Sequence, residues 1–165
     1  MNKKTLYLVH AAVIAALYVV LTFLANALGL SSGVIQVRFS EALTILPFFT
    51  PAAIPGLFAG CILANILTGC MPLDVLFGSL ATLLGALGTW SLSKSSKLLA
   101  PLPPIIANTL IVPFVLAYVY QFEGSIPYFM LTVGIGEVIS CGVLGLILLN
   151  VLQRYRKYLF PDIPK

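Results

Sequence analysis

The charges in this chain are few, and where they stand limits what it can fold into. No formal charge occurs in the 33 residues between Lys4 and Arg38, the 32 between Glu41 and Asp74, the 19 between Asp74 and Lys94, or the 25 between Lys97 and Glu123. Residues 124 to 153 carry Glu137 alone. A helix needs about 20 apolar residues, rising about 1.5 Å each, to cross the hydrocarbon of a bilayer. Each run therefore holds a span or comes close to one. Charged residues are 8% of the 165 and apolar ones 60%, whereas a soluble domain is roughly a quarter charged. The runs are rich in Leu, Ala and Ile and lack the period-2 alternation of an outer-membrane barrel, so they read as helices that satisfy their own backbone groups.

The stretch from Leu6 to Leu30 is longer than the apolar core of a signal peptide and is followed by further hydrophobic runs, so it is expected to be retained. Cys61, Cys70 and Cys141 lack metal-ligand spacing and read as small packing residues. Neither a linker nor a low-complexity tract divides residues 1–165, which are expected to form one domain. The sequence contains no glycine-rich nucleotide motif, so any ATP-driven step belongs to another chain. No cofactor and no nucleic-acid partner is indicated.

Residues 42 to 73 are interrupted by Pro47, Pro51 and Pro55, and read either as one helix with a loop or as two short helices. The basic residues decide between these. With Lys3 and Lys4 cytoplasmic, two helices place both the Lys94/Lys97 loop and the Arg154, Arg156, Lys157 cluster inside as well, as the positive-inside rule requires. The expected architecture is an all-α cell-membrane protein with both termini cytoplasmic and six transmembrane helices, near 6–29, 41–49, 52–69, 74–93, 98–121 and 126–152. Nine residues of α-helix cover only about 14 Å. The second span is therefore expected to be preceded by a re-entrant or covering loop over 33–40, with a trace of extended alternation from Val34 to Phe39.

Polar residues inside the apolar spans are candidates for function. Glu137 lies near the middle of the sixth span, where a carboxylate is costly unless it faces a partner or a cavity. Asn65 and Asn108 also sit within apolar spans and add paired donors and acceptors. Arg38, Glu41, Asp74, Gln121 and Glu123 fall at the outer rim on this topology. Arg38 and Glu41 are spaced to pair across one helical turn, and Asp74 is placed to cap the fourth span. Of the outer aromatics, Phe39, Tyr118, Tyr120 and Phe122 are candidates to sandwich a flat ligand, whereas Phe48 and Phe49 belong to the opposite end. In the first span, Ala11 with Ala15 and Ala12 with Ala16 give overlapping pairs of small residues, suited either to packing within the chain or to docking on another membrane protein. Gly85, Gly88, Gly134, Gly136, Gly142 and Gly145 are expected to permit close helix crossings inside the fold.

The run from Val34 through Arg38-Phe-Ser-Glu-Ala-Leu43 to Phe49, followed by Gly60-Cys-Ile-Leu-Ala-Asn65, Asp74, Gly78-Ser-Leu-Ala-Thr82 and the Gly136-Glu137 pair, resembles the queuosine-precursor transporter family. These are substrate-binding S-components of energy-coupling factor transporters, and the resemblance covers essentially the whole chain. It implies a six-helix protein that binds a 7-deazaguanine, in the 7-aminomethyl or 7-cyano form. It also implies docking through Ala11, Ala12, Ala15 and Ala16 onto a transmembrane coupling subunit that is joined to two cytoplasmic ATP-binding cassette subunits. Arg38, Glu41, Asn65, Asp74, Asn108 and Glu137 become the candidate substrate-binding residues, with no bond-making step in this chain. An S-component for another vitamin or nucleobase-like solute would share this topology, and a non-transporting assembly protein would share the alanine face. An intramembrane enzyme is disfavoured, because His-Glu-x-x-His, Gly-x-Ser-x-Gly and paired intramembrane aspartates are all missing from the sequence.

Overall fold

The computed structural model describes residues 2–31 and 35–160. Among these residues there is no β-strand, and six helical segments make the fold: helix 1 (Lys3–Ala27), helix 2 (Phe39–Phe48), helix 3 (Ala53–Leu67), helix 4 (Pro72–Ser91), helix 5 (Leu102–Tyr118) and helix 6 (Ile126–Leu159). Four segments, Lys3–Ala27, Pro72–Lys94, Lys97–Tyr118 and Ile126–Leu159, are long and apolar enough to cross a membrane, and helices 2 and 3 are shorter apolar ones. Proline lies in the first turn of helices 4, 5 and 6, where its missing N–H removes no helical bond.

Helix 2 departs from the α-helix assumed above. It is a ten-residue 3-10 helix with Pro47 inside it, and at about 2.0 Å per residue it reaches roughly 20 Å rather than 14. Runs of this geometry usually stop after three or four residues. This one is held by its surroundings, because Ser40 through Pro47 are all buried. Helices 1, 3, 4 and 6 pack around helix 2, while helix 5 closes the outer ring between helices 4 and 6.

Close approach between helices is set by small residues. A Cβ built on Gly56 would lie 2.7 Å from the Ala11 carbonyl, and one on Gly60 would lie 2.8 Å from the Tyr18 Cβ and 3.0 Å from Ala15. Ala11 and Ala15 are thus occupied inside the chain, against helix 3, whereas Ala12 and Ala16 are exposed. Neither Gly56 nor Gly60 was among the expected close crossings, because their partner stripe lies about 45 residues away. Of the expected close crossings, Gly85 and Gly88 meet Pro104 and Pro103 and Gly145 meets Ile45, but Gly134 and Gly142 have only ordinary contacts.

Residues 33 and 34 of the expected covering loop lie outside the described residues. From 35 to 38 the chain forms no strand. Its backbone lies on helix 6, where a Cβ on Gly136 would fall well inside 3.0 Å of the Gln36 carbonyl oxygen, and the Arg38 N–H donates to Ser140 Oγ at 3.1 Å.

Candidate functional site

Three of the proposed residues line one cavity. Arg38, Asn65 and Asp74, from the entry to helix 2, the end of helix 3 and the start of helix 4, face a space of about 260 Å3. Tyr18, Ser40, Cys70 and Tyr120 share the lining. Glu41, Asn108 and Glu137 form a buried cluster joined to it through Tyr18. The Tyr18 hydroxyl donates to Glu41 Oε1, and Asn108 Nδ2 donates to Glu41 Oε2 at 3.4 Å. The Cys141 thiol donates to Glu137 Oε2 at 3.1 Å. Helices 1, 2, 5 and 6 thus converge on two carboxylates, and a buried polar group left unpaired costs about 1–3 kcal/mol.

Local backbone explains this placement. Arg38 is extended, with φ −110° and ψ 110°, so it does not share a helical face with Glu41. The two do not form an ion pair among the described residues: Arg38 Nη2 donates to Gln36 Oε1 at 3.4 Å, and Glu41 turns inward to Tyr18 and Asn108. In helix 6, residues Val138–Leu144 form a π-helical stretch immediately after Glu137, a device common at functional sites. It includes Ser140 and Cys141, which bond to the Arg38 backbone and to Glu137.

Asp74 does not cap helix 4 through its side chain. Its Oδ2 accepts from the Tyr120 hydroxyl at 2.7 Å, and Tyr120 in turn accepts from the Met71 N–H at 3.3 Å. Burial first, and then the bond to Asp74, push the Tyr120 phenol above its ordinary range, so it remains a donor. Of the aromatics considered, Tyr120 and Phe122 line the cavity, with ring centroids 5.6 Å apart, and Phe39 and Tyr118 do not. Phe48 and Phe49 border a separate recess at the other end of the bundle.

Tyr18 and Ser140 were not singled out from the sequence, and Tyr120 was a candidate for its ring, not for its bond to Asp74. For Tyr18 the available signal was a phenol in the middle of an uncharged run; for Ser140, only the proximity to Glu137. Cys61 and Cys141 are buried as expected, and both also take part in polar bonds, Cys61 accepting from Thr82 Oγ1 at 3.4 Å. Glu41, Glu137 and Cys141 bring donor atoms within 4.8 Å of one another. Both Glu41 oxygens already accept protein hydrogen bonds, so this group reads as a polar network more readily than as a metal site. The cavity lining itself presents one carboxylate (Asp74), a guanidinium (Arg38), an amide (Asn65) and the rings of Tyr120 and Phe122, with Glu41 and Glu137 buried behind it.

No solved structure matches this chain. A curated relative, "Queuosine precursor transporter QueT" of Lactococcus lactis subsp. cremoris (strain MG1363), is 40% identical over 82 residues, covering 50% of this chain and 48% of that protein. The chain spans about half the length of the curated relative it matches. A family model described as QueT transporter matches residues 8–154, a range that takes in every candidate site residue. With that match extending from helix 1 into the last turns of helix 6, the chain belongs to the QueT transporter family.

Proposed function

We propose that this chain is the substrate-binding subunit of an energy-coupling factor transporter and that it imports a 7-deazaguanine precursor of queuosine, in the 7-aminomethyl or 7-cyano form. The observation that carries this reading is the convergence of Arg38, Asn65 and Asp74 on one cavity, backed by the Glu41, Asn108 and Glu137 cluster. An acid reads the N1–H and 2-amino edge of the ring by accepting two hydrogen bonds, and a second acid accepts from the aminomethyl ammonium. The cavity opens outward, both termini are cytoplasmic, and the segment before helix 2 serves as its cover. Exposed Ala12 and Ala16 form the face that docks on the coupling subunit, with Ala11 and Ala15 behind them seating helix 1 on helix 3. Two cytoplasmic ATP-binding cassette subunits then supply the energy for reorientation and release.

Cys70 gives a direct test. It lines the cavity and is half-buried, while Cys61 and Cys141 are buried. In the purified chain a polar maleimide is expected to modify Cys70 and spare the other two, and saturating 7-aminomethyl-7-deazaguanine is expected to slow that reaction severalfold. Equilibrium binding of the 7-aminomethyl and 7-cyano compounds and guanine, measured alongside, establishes the ligand. Saturable binding of riboflavin or biotin with none of the deazaguanines would overturn the substrate. Binding that leaves Cys70 labelling unchanged would move the site out of this cavity. Glu137→Gln is expected to weaken binding about tenfold or more, as loss of a charged hydrogen-bond partner does; unchanged affinity in the folded variant removes Glu137 from the site.

A further inference from the structure

Helices 2, 4 and 6 end around a recess of about 1020 Å3 at the end of the bundle away from the substrate cavity. Three cations, Lys94, Lys97 and Arg156, line it together with Phe48, Trp90 and Ser93, and among the described residues no carboxylate does. Lys97 is held in place, its Nζ donating to Asn150 Oδ1 on helix 6 at 2.8 Å. Lys94 and Lys97 stand at the junction of the apolar segments Pro72–Lys94 and Lys97–Tyr118; with both segments crossing a bilayer, that junction falls where acyl chains give way to headgroups. Trp90, one turn further in, is 48% exposed, in the position tryptophan prefers at that boundary.

The geometry points to a binding site for the phosphodiester headgroup of an anionic phospholipid. The cations hold the phosphate, and the aromatic wall takes the glycerol and the first acyl carbons. A soluble phosphate would satisfy the cations equally well but would leave the apolar wall at Phe48 uncovered. Lipid phosphates are already fixed at this depth, so the site captures its ligand from the leaflet and favours it over a zwitterionic neighbour by charge. This inference does not depend on which solute the other cavity takes.

The chain's single tryptophan lines the recess, which makes fluorescence the readout. The full chain is placed in nanodiscs containing increasing fractions of acyl-brominated phosphatidylglycerol or phosphatidylcholine, and quenching of Trp90 is followed. Half-maximal quenching is expected at a roughly tenfold lower fraction of the phosphatidylglycerol. The preference should vanish in the double variant Lys94→Gln/Arg156→Gln and persist in Arg154→Gln/Lys157→Gln, whose cations lie on the same helix end but outside the lining. Lys97 is left intact because it bonds Asn150. Equal quenching by the two lipids, or a preference that survives Lys94→Gln/Arg156→Gln with the helical circular dichroism intact, overturns the site. Relief of quenching by inorganic phosphate beyond that by chloride at equal ionic strength assigns the recess to a soluble anion and also overturns the lipid reading.

Discussion

Glu41→Ala is expected to abolish measurable binding of the 7-deazaguanine ligand and to lower the unfolding temperature of the ligand-free protein. Glu41 is almost fully buried, and its two oxygens accept from the Tyr18 hydroxyl and from Asn108 Nδ2. Alanine removes both acceptors, weakening the pairing of two buried donors at about 1–3 kcal/mol each, in addition to the cavity left behind. Because Tyr18 belongs to helix 1 and Asn108 to helix 5, the loss loosens the bundle at its centre. Glu41→Gln keeps the volume and one carbonyl acceptor, so its effect on stability should be well under half as large while ligand binding still falls steeply. Thermal unfolding in detergent and calorimetric titration separate the two effects. A double-mutant cycle with Tyr18→Phe should be strongly non-additive, since both changes break the same bond. Wild-type affinity in the alanine variant would sink the proposed role of Glu41.

The second large effect concerns a single hydrogen atom. Gly136→Ala is expected to weaken ligand binding at least tenfold, because its methyl would fall well inside 3.0 Å of the Gln36 backbone carbonyl. Backbone cannot swing aside as a side-chain tip can, so the 35–38 segment must lift, taking with it the Arg38 guanidinium and the Arg38–Ser140 bond at 3.1 Å. Replacing glycine by alanine inside a helix normally gains about 1 kcal/mol. Overpacking of this kind costs about 1–3 kcal/mol and moves the backbone, so the clash outweighs the propensity. Gly134→Ala, two residues earlier on the same helix, is the control: the nearest atoms to its Cβ are on Thr109 at 3.5 Å, and it should bind normally with equal or higher stability. If both variants bind alike, the 35–38 segment is not what positions Arg38 for ligand.

Particular residues show how far the sequence could be read. Glu137, Asn65 and Asn108 stood out because a polar group in a long apolar run is expensive, and all three are buried close to Glu41 or the cavity. The Arg38–Glu41 pairing and the Asp74 cap were local inferences from spacing, and the carboxylates of Glu41 and Asp74 instead took partners 23 to 67 residues distant in the chain. Tyr18 to Glu41 spans 23 residues, Asn108 to Glu41 67 and Tyr120 to Asp74 46. Hydropathy carries no information about such pairings, because it registers only the cost of moving a residue out of water.

Helix 2 and the alanine stripe divide the two sources of information most clearly. The succession of six apolar segments and their approximate limits followed from the sequence alone, since the transfer cost of each charge acts residue by residue and needs no knowledge of neighbours. That helix 2 is a 3-10 helix, that helix 6 carries a π-helical stretch beside Glu137, and that Ala11 and Ala15 face inward while Ala12 and Ala16 face outward were decided only by the tertiary structure. Each of these depends on how closely two backbones approach, a distance set jointly by residues far apart in the chain.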